Sequence, residues 1–178
     1  MKRILSLLCC AVATGGCVSP LFDHDISFFD FGTPIEVKTP VPLSVKHFTS
    51  IGVDIPQMVF RENGVQVRKS EDNRWLTNPS VLVEKSLRFT PAISAKNKDS
   101  YSLFGKLLSL ELNRDTNEVV FSVKYTLVNE HNRMVVAGDT FVSSHRVDDS
   151  SARSFAEGAR LCLADFAEHV AGVCRTTQ

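Results

Sequence analysis

The stretch from Asn117 to Glu130, "NEVVFSVKYTLVNE", sets Val119, Phe121, Val123, Tyr125 and Leu127 on one face and mostly polar residues on the other. A period of two is that of a strand with one covered face and one wet face. "SLFGKLLSLELNRD", 102–115, precedes it and reads as a long strand with Leu108, Leu110 and Leu112 on one face. "MVVAGDTFVSSHRV", 134–147, follows as a third strand. The connections, Asp115 to Asn117 and Glu130 to Arg133, are short and polar. Such spacing predicts an antiparallel meander with one face covered.

The cover is predicted at the C-terminus. After Asp148 to Ser151, the residues Phe155, Ala159, Cys162, Phe166, Val170 and Val173 recur at spacings of three and four. That is the apolar stripe of a helix of about five to six turns, which should lie across the meander.

Upstream, "LSVKHFTS", 43–50, alternates as a strand, and "VDIPQ" breaks it. "MVFRE", the Asn63–Gly64 pair and "VQVRKS" read as a hairpin. The charge run "VRKSEDNR", 67–74, mixes both signs and reads as its solvated end, so Trp75 falls in a polar connection. Asn78 suits a helix cap and Pro79 the first helical position. "SVLVEKSLRFT" then predicts a helix burying Leu82, Val83 and Leu87 and ended by Pro91. The expected class is α+β, one domain in which an antiparallel sheet is packed by two helices.

The first residues stand apart from that domain. Lys2 and Arg3 precede "ILSLLCCAVA", an apolar run too short to span a bilayer, as in a secretory signal. "AVA", 11–13, suits ordinary signal cleavage, whereas "TGGC", 14–17, resembles a bacterial lipobox ending at an acylated cysteine. Two glycines and a cysteine directly after the apolar run favour the lipobox, although Thr14 stands where leucine is usual. The expected organisation is a signal peptide at 1–16, a lipidated N-terminus and tether at 17–42, which includes a first strand if "ISFFDFG" forms one, and the folded domain at 43–178. Val18 after Cys17, in place of aspartate, implies sorting to the outer membrane. More than one acyl chain makes such anchoring stable, at about 0.8 kcal/mol per buried methylene.

Composition excludes other classes. Apolar residues are 43% and charged residues 22%, which is globular. The formal charge is zero. Loss of Lys2 and Arg3 with the signal leaves 18 basic against 20 acidic residues, net −2, so no nucleic acid is expected as partner. The sequence has no Gly-x-Ser-x-Gly elbow and no glycine-rich phosphate loop. His24, His47, His131, His145 and His169 have no partner at metal-ligand spacing, and "DHD", 23–25, lies in the tether. A His–Asp–Ser set meeting in space stays open. No catalytic residue, metal or cofactor is expected, and the chain is read as non-enzymatic. Cys162 and Cys174 on one continuous helix would stand about 18 Å apart, beyond disulfide reach. A bridge requires the helix to end early and the tail to fold back.

"DIPQMVFR", 54–61, and "NRWLTNP", 73–79, resemble two segments of the ABC-type transport auxiliary lipoproteins, Pro-Gln-x-Val-x-Arg and Arg-Trp-Ala-x-Pro. "FFDFG", 28–32, resembles the family's Tyr-Tyr-x-Leu segment soon after the lipidated cysteine. Leu76 stands where alanine is usual, and Pro79 is displaced. The resemblance implies an outer-membrane lipoprotein facing the periplasm and serving a transporter with mammalian-cell-entry (MCE) domains that moves phospholipid or other lipids. The implied partners are the MCE subunit and, through the acylated Cys17, the membrane; phospholipid is a further candidate. Pro56, Gln57, Arg61, Arg74 and Trp75 are the candidate contact residues. Trp75 has two accounts: a cap on the core with Arg74 stacked or paired nearby, or part of a docking surface. The alternatives are a lipoprotein that holds lipid in its own crevice and an assembly factor for outer-membrane proteins.

Overall fold

A computed structural model describes residues 25–51, 55–92 and 99–176. The signal peptide expected at 1–16, the anchor at Cys17 and Asp54 lie outside the described residues.

The chain runs β1 (Ser27–Phe29), β2 (Ile35–Thr39), β3 (Leu43–Ser50), β4 (Gln57–Glu62), β5 (Gln66–Trp75), α1 (Pro79–Ser86), β6 (Leu87–Pro91), β7 (Tyr101–Asn113), β8 (Glu118–Asn129), β9 (Val135–Arg146) and α2 (Ala152–Thr176). The fold is α+β, a many-stranded sheet packed by two helices. The main sheet has seven strands, in the order β1-β5-β4-β7-β8-β9 with β3 also on β7, and β2 and β6 form a separate pair.

The meander is present as expected, β7 to β8 to β9, antiparallel throughout. All five predicted inward residues of β8 are buried. The β7 pattern differs by one position. Leu107 pairs with Val123 and Ser109 with Ser122, so Leu108 is an extra residue. This bulge flips the alternation: Leu103 and Leu107 are buried before it, Leu110 and Leu112 after it. Leu108 leaves the inward face on which it was expected.

The sheet is not antiparallel everywhere. β1 runs parallel to β5, and β3 and β4 both run parallel to β7. β3 and β4 share one flank of β7: Ser50 lies opposite Leu107 and Phe60 opposite Leu112. Ten residues on one side thus face five on the other. The hairpin turn is as predicted, with Asn63 at φ 52° and Gly64 at φ 69°, the left-handed pair of a tight turn.

Four expectations give way. The fold begins before residue 43: Phe31, Ile35, Val37 and Val41 of the supposed tether are core residues, and β2 is a strand. The first helix stops at Ser86, and Leu87–Pro91 extends as β6 in register with Ile35–Thr39. Leu82, Val83 and Leu87 are buried as expected, Leu87 from a strand. Asn78 precedes the helix without a side-chain cap bond. The returning strand β5 continues to Trp75 through the segment read as a connection.

Helix α2 carries the predicted stripe, with Phe155, Ala159, Cys162, Phe166 and Val170 buried and Val173 packed against the core. Ser151 starts it: its carbonyl accepts from Phe155 N–H and its hydroxyl oxygen from Ser154 N–H. Phe166 meets Phe48, Phe121, Tyr125 and Phe141 at ring distances of 5.4 to 6.4 Å.

Because α2 is one helix, Cys162 and Cys174 are separate buried thiols. Burial pushes each thiol up to about 11. The thiolate is the reactive form, so neither residue should be alkylated by iodoacetamide at pH 8 until the chain is unfolded. Rapid labelling of the folded domain by mass spectrometry would contradict this packing.

Candidate docking site

The three segments of the resemblance meet at one end of the sheet. β1 lies against the end of β5, with Phe28 opposite Arg74 and Phe29 opposite Trp75. On the other side of β5, Gln57 of β4 is in register with Arg74. Trp75 N–H donates to the Pro56 carbonyl at 2.5 Å, and Leu76 N–H to the Phe29 carbonyl at 2.7 Å. Pro56, Gln57, Arg74 and Trp75 are therefore neighbours. Arg61 lies four residues further along β4, away from them.

Alternation divides these residues between two faces. Trp75 points inward and is 1% exposed. Its ring stands edge-on to Phe31 and Phe155, both centroids 5.2 Å away. It caps the core, the first of its two accounts, and joins β1, β5 and α2. Arg74, one residue earlier, belongs to the opposite face and does not stack on it.

The outer face at this end carries Phe28 and, just beyond β5, Leu76, both well exposed. A cleft of about 230 Å³ opens where β3 and β4 separate. Ile51, Ile55, Val59 and Val67 line it with Lys69 and Glu111. Ser50 Oγ and Gln57 Oε1, also at the cleft, and Arg74 Nε are buried with no hydrogen-bond partner among the described residues. Such atoms normally find partners, so this end carries unmet polar demand. Arg61 meets Glu111 through two parallel bonds of 2.7 and 2.8 Å. That pairing occupies the guanidinium expected to contact a partner.

The sequence reading missed Ser50, Val59, Val67 and Glu111. Glu111 had no local signal, since its partner is 50 residues away.

A serine, a histidine and an aspartate do meet elsewhere, but in the wrong order for acyl transfer. Asp165 Oδ2 on α2 lies 2.6 Å from Ser143 Oγ, which donates to it, and 2.7 Å from His145 Nε2 on β9. The carboxylate sits between the two, so the imidazole does not hold the hydroxyl, as a nucleophile requires. Burial raises the Asp165 pKa, but the Ser143 and His145 bonds outweigh it and leave the carboxyl below its ordinary value. The trio is a clasp between α2 and β9. Among the described residues no group of three His, Cys, Asp or Glu side chains is placed to hold a metal, and no helix is long and apolar enough to cross a membrane.

Fold and site together define a one-domain α+β protein with a surface cleft at the junction of β3, β4 and β5. No family model and no curated protein matches the chain. Solved structures do. Protein XCC0632 from Xanthomonas campestris, described as family-model DUF330, matches with 14% identity and a TM-score of 0.65, over 85% of this chain and 96% of that one. A second structure, an uncharacterized protein, matches with 14% identity and a TM-score of 0.61, over 79% of this chain and 97% of that one. At this identity the likeness is one of fold.

Proposed function

We propose that this chain is a lipid-anchored adaptor, acylated at Cys17 and held on the periplasmic face of the outer membrane. It docks the MCE-domain subunit of an ABC-type lipid transport system and performs no chemistry of its own. One observation carries the reading: Phe28 and Phe29, Pro56 and Gln57, and Arg74 to Leu76, from the three motif segments distant in sequence, lie side by side through β1, β4 and β5. Exposed Phe28 and Leu76, on the same face as Arg74, supply the aromatic and arginine anchors common at interfaces.

Tagged protein purified from gently solubilised envelopes should retain an MCE-domain protein. Leu76→Glu should reduce that recovery at least tenfold without changing the unfolding midpoint. Cys17→Ala should leave a folded domain that no longer fractionates with membranes. Recovery of no MCE-domain protein, under conditions that keep such complexes intact, would sink the proposal.

The apolar lining of the cleft by Ile51, Ile55, Val59 and Val67 favours a second reading, in which the domain itself holds a lipid chain. Native mass spectrometry of the purified domain would show the added mass.

A further inference from the structure

The free side of β3 is met by α1, where Phe48 N–H donates to the Glu84 carboxylate; the two ends of the main strand order are built differently from each other. One is β5, which β1 covers only at Asn73–Trp75. Its uncovered part carries Arg68, Lys69, Glu71 and Asp72, charges that discourage another strand. The other edge is β9. Among the described residues β9 pairs with β8 alone. From Ala137 to Arg146 that pairing runs without a bulge. The stretch has no proline and no lysine, and Asp139 and Arg146 are its only permanently charged residues. A long regular edge without such protections is a template for another strand.

The backbone shows which groups are on offer. The Thr140 N–H donates to the Asp139 carboxylate at 2.7 Å. Peptide groups alternate in direction along a strand, so this bond marks Thr140, Val142 and Ser144 as facing outward. Side chains flank the edge on both faces of the sheet. Phe141 packs on Phe166 of α2, so Val142, 61% exposed, lies on the far face. On the helix side, Leu161 is 46% exposed. It sits one turn before Asp165, which reaches Ser143 and His145 of β9.

We propose that β9 is the interface with a second copy of this chain, the two strands running antiparallel about a twofold axis at Val142. That axis sets Val142 against Val142 and Thr140 against Ser144, each pair exchanging backbone bonds. It also sets Asp139 against His145 of the second copy, with Cβ atoms about 5 Å apart. The Asp139 carboxylate gives up Thr140 N–H, which the second strand now satisfies, and turns to that imidazole. Self-complementarity selects a second copy over an unrelated strand, and it selects the register. An axis at Phe141 sets Asp139 against Ser143, and an axis at Ser143 sets it against Val147; neither sets the carboxylate against an imidazole.

Light scattering of the chain carrying Cys17→Ala should report the mass of a dimer, and Val142→Lys should return a folded monomer. Cysteine placement tests the register. Under mild oxidation Val142→Cys should give a reducible dimer far in excess of the parent chain, since directly paired strands bring α-carbons within disulfide range. Thr140→Cys alone, whose opposite number is Ser144, should stay at the parent level. A monomeric mass at the highest soluble concentration overturns the proposal. So does a dimer that Val142→Cys does not link, or that Thr140→Cys links equally well.

Discussion

Trp75→Ala should lower the stability of the folded domain by about 3–5 kcal/mol, the range for truncating a large buried aromatic. The ring is 1% exposed and stands edge-on to Phe31 and Phe155. Its removal withdraws a common neighbour from β1, β5 and α2 at once. The cavity it leaves is bounded by strands fixed in register, with Phe29 opposite Trp75 and Gln57 opposite Arg74. Neither wall can collapse far without breaking those pairs, which argues for the upper part of the range. Trp75→Phe keeps an aromatic edge in place and should cost less than half as much. Denaturant unfolding measures both, as a fall in the midpoint at constant slope. Trp75 is also the sole tryptophan of the chain. Its fluorescence in the parent protein should be that of a buried indole and should shift red in the same transition. A loss below about 1 kcal/mol, or red-shifted emission from the native protein, would mean that the ring faces water as a contact surface.

The limits of the sequence reading follow from the range of each interaction. β8 and α2 were legible because each repeats its own pattern over many residues against a single facing layer. β2 and β6 were not. Each is five residues long, and they pair in parallel across a wide gap in sequence, Ile35 with Leu87 and Val37 with Phe89. Pro34 and Pro40 pointed to a tether and "SVLVEKSLRFT" to a helix; pairing overrode both. The Leu108 bulge is likewise invisible, since Leu108, Leu110 and Leu112 continue one unbroken alternation in the sequence. At the candidate site the motif segments were found by resemblance, and Trp75 was placed among possible core residues by its size. The Arg61–Glu111 pair and the unmet Ser50 and Gln57 groups belong to the meeting of β3, β4 and β7, which no local pattern encodes.

Gly105→Ala should be among the most damaging small substitutions available, costing about 3 kcal/mol or more. Gly105 lies opposite Phe48 where β3 pairs with β7. A β-carbon built on Gly105 would fall within 3.0 Å of three atoms of the Phe48 ring. The backbone of a paired central strand cannot retreat, so the ring must move. Phe48 is 1% exposed and packs edge-on to Phe166 at 6.4 Å, so displacing it forfeits much of what Phe48→Ala would forfeit, about 3–5 kcal/mol. The two substitutions should therefore be strongly non-additive. In the Phe48→Ala background the added methyl enters vacated space, and alanine is also better than glycine within a strand by about 0.5–1 kcal/mol. Gly105→Ala should then be neutral or stabilising, and the double-mutant cycle should give a coupling of at least about 2 kcal/mol. Urea unfolding of the four proteins decides it. Additive costs would show that the ring and the glycine do not share this space, and that the register of β3 on β7 differs from the one described.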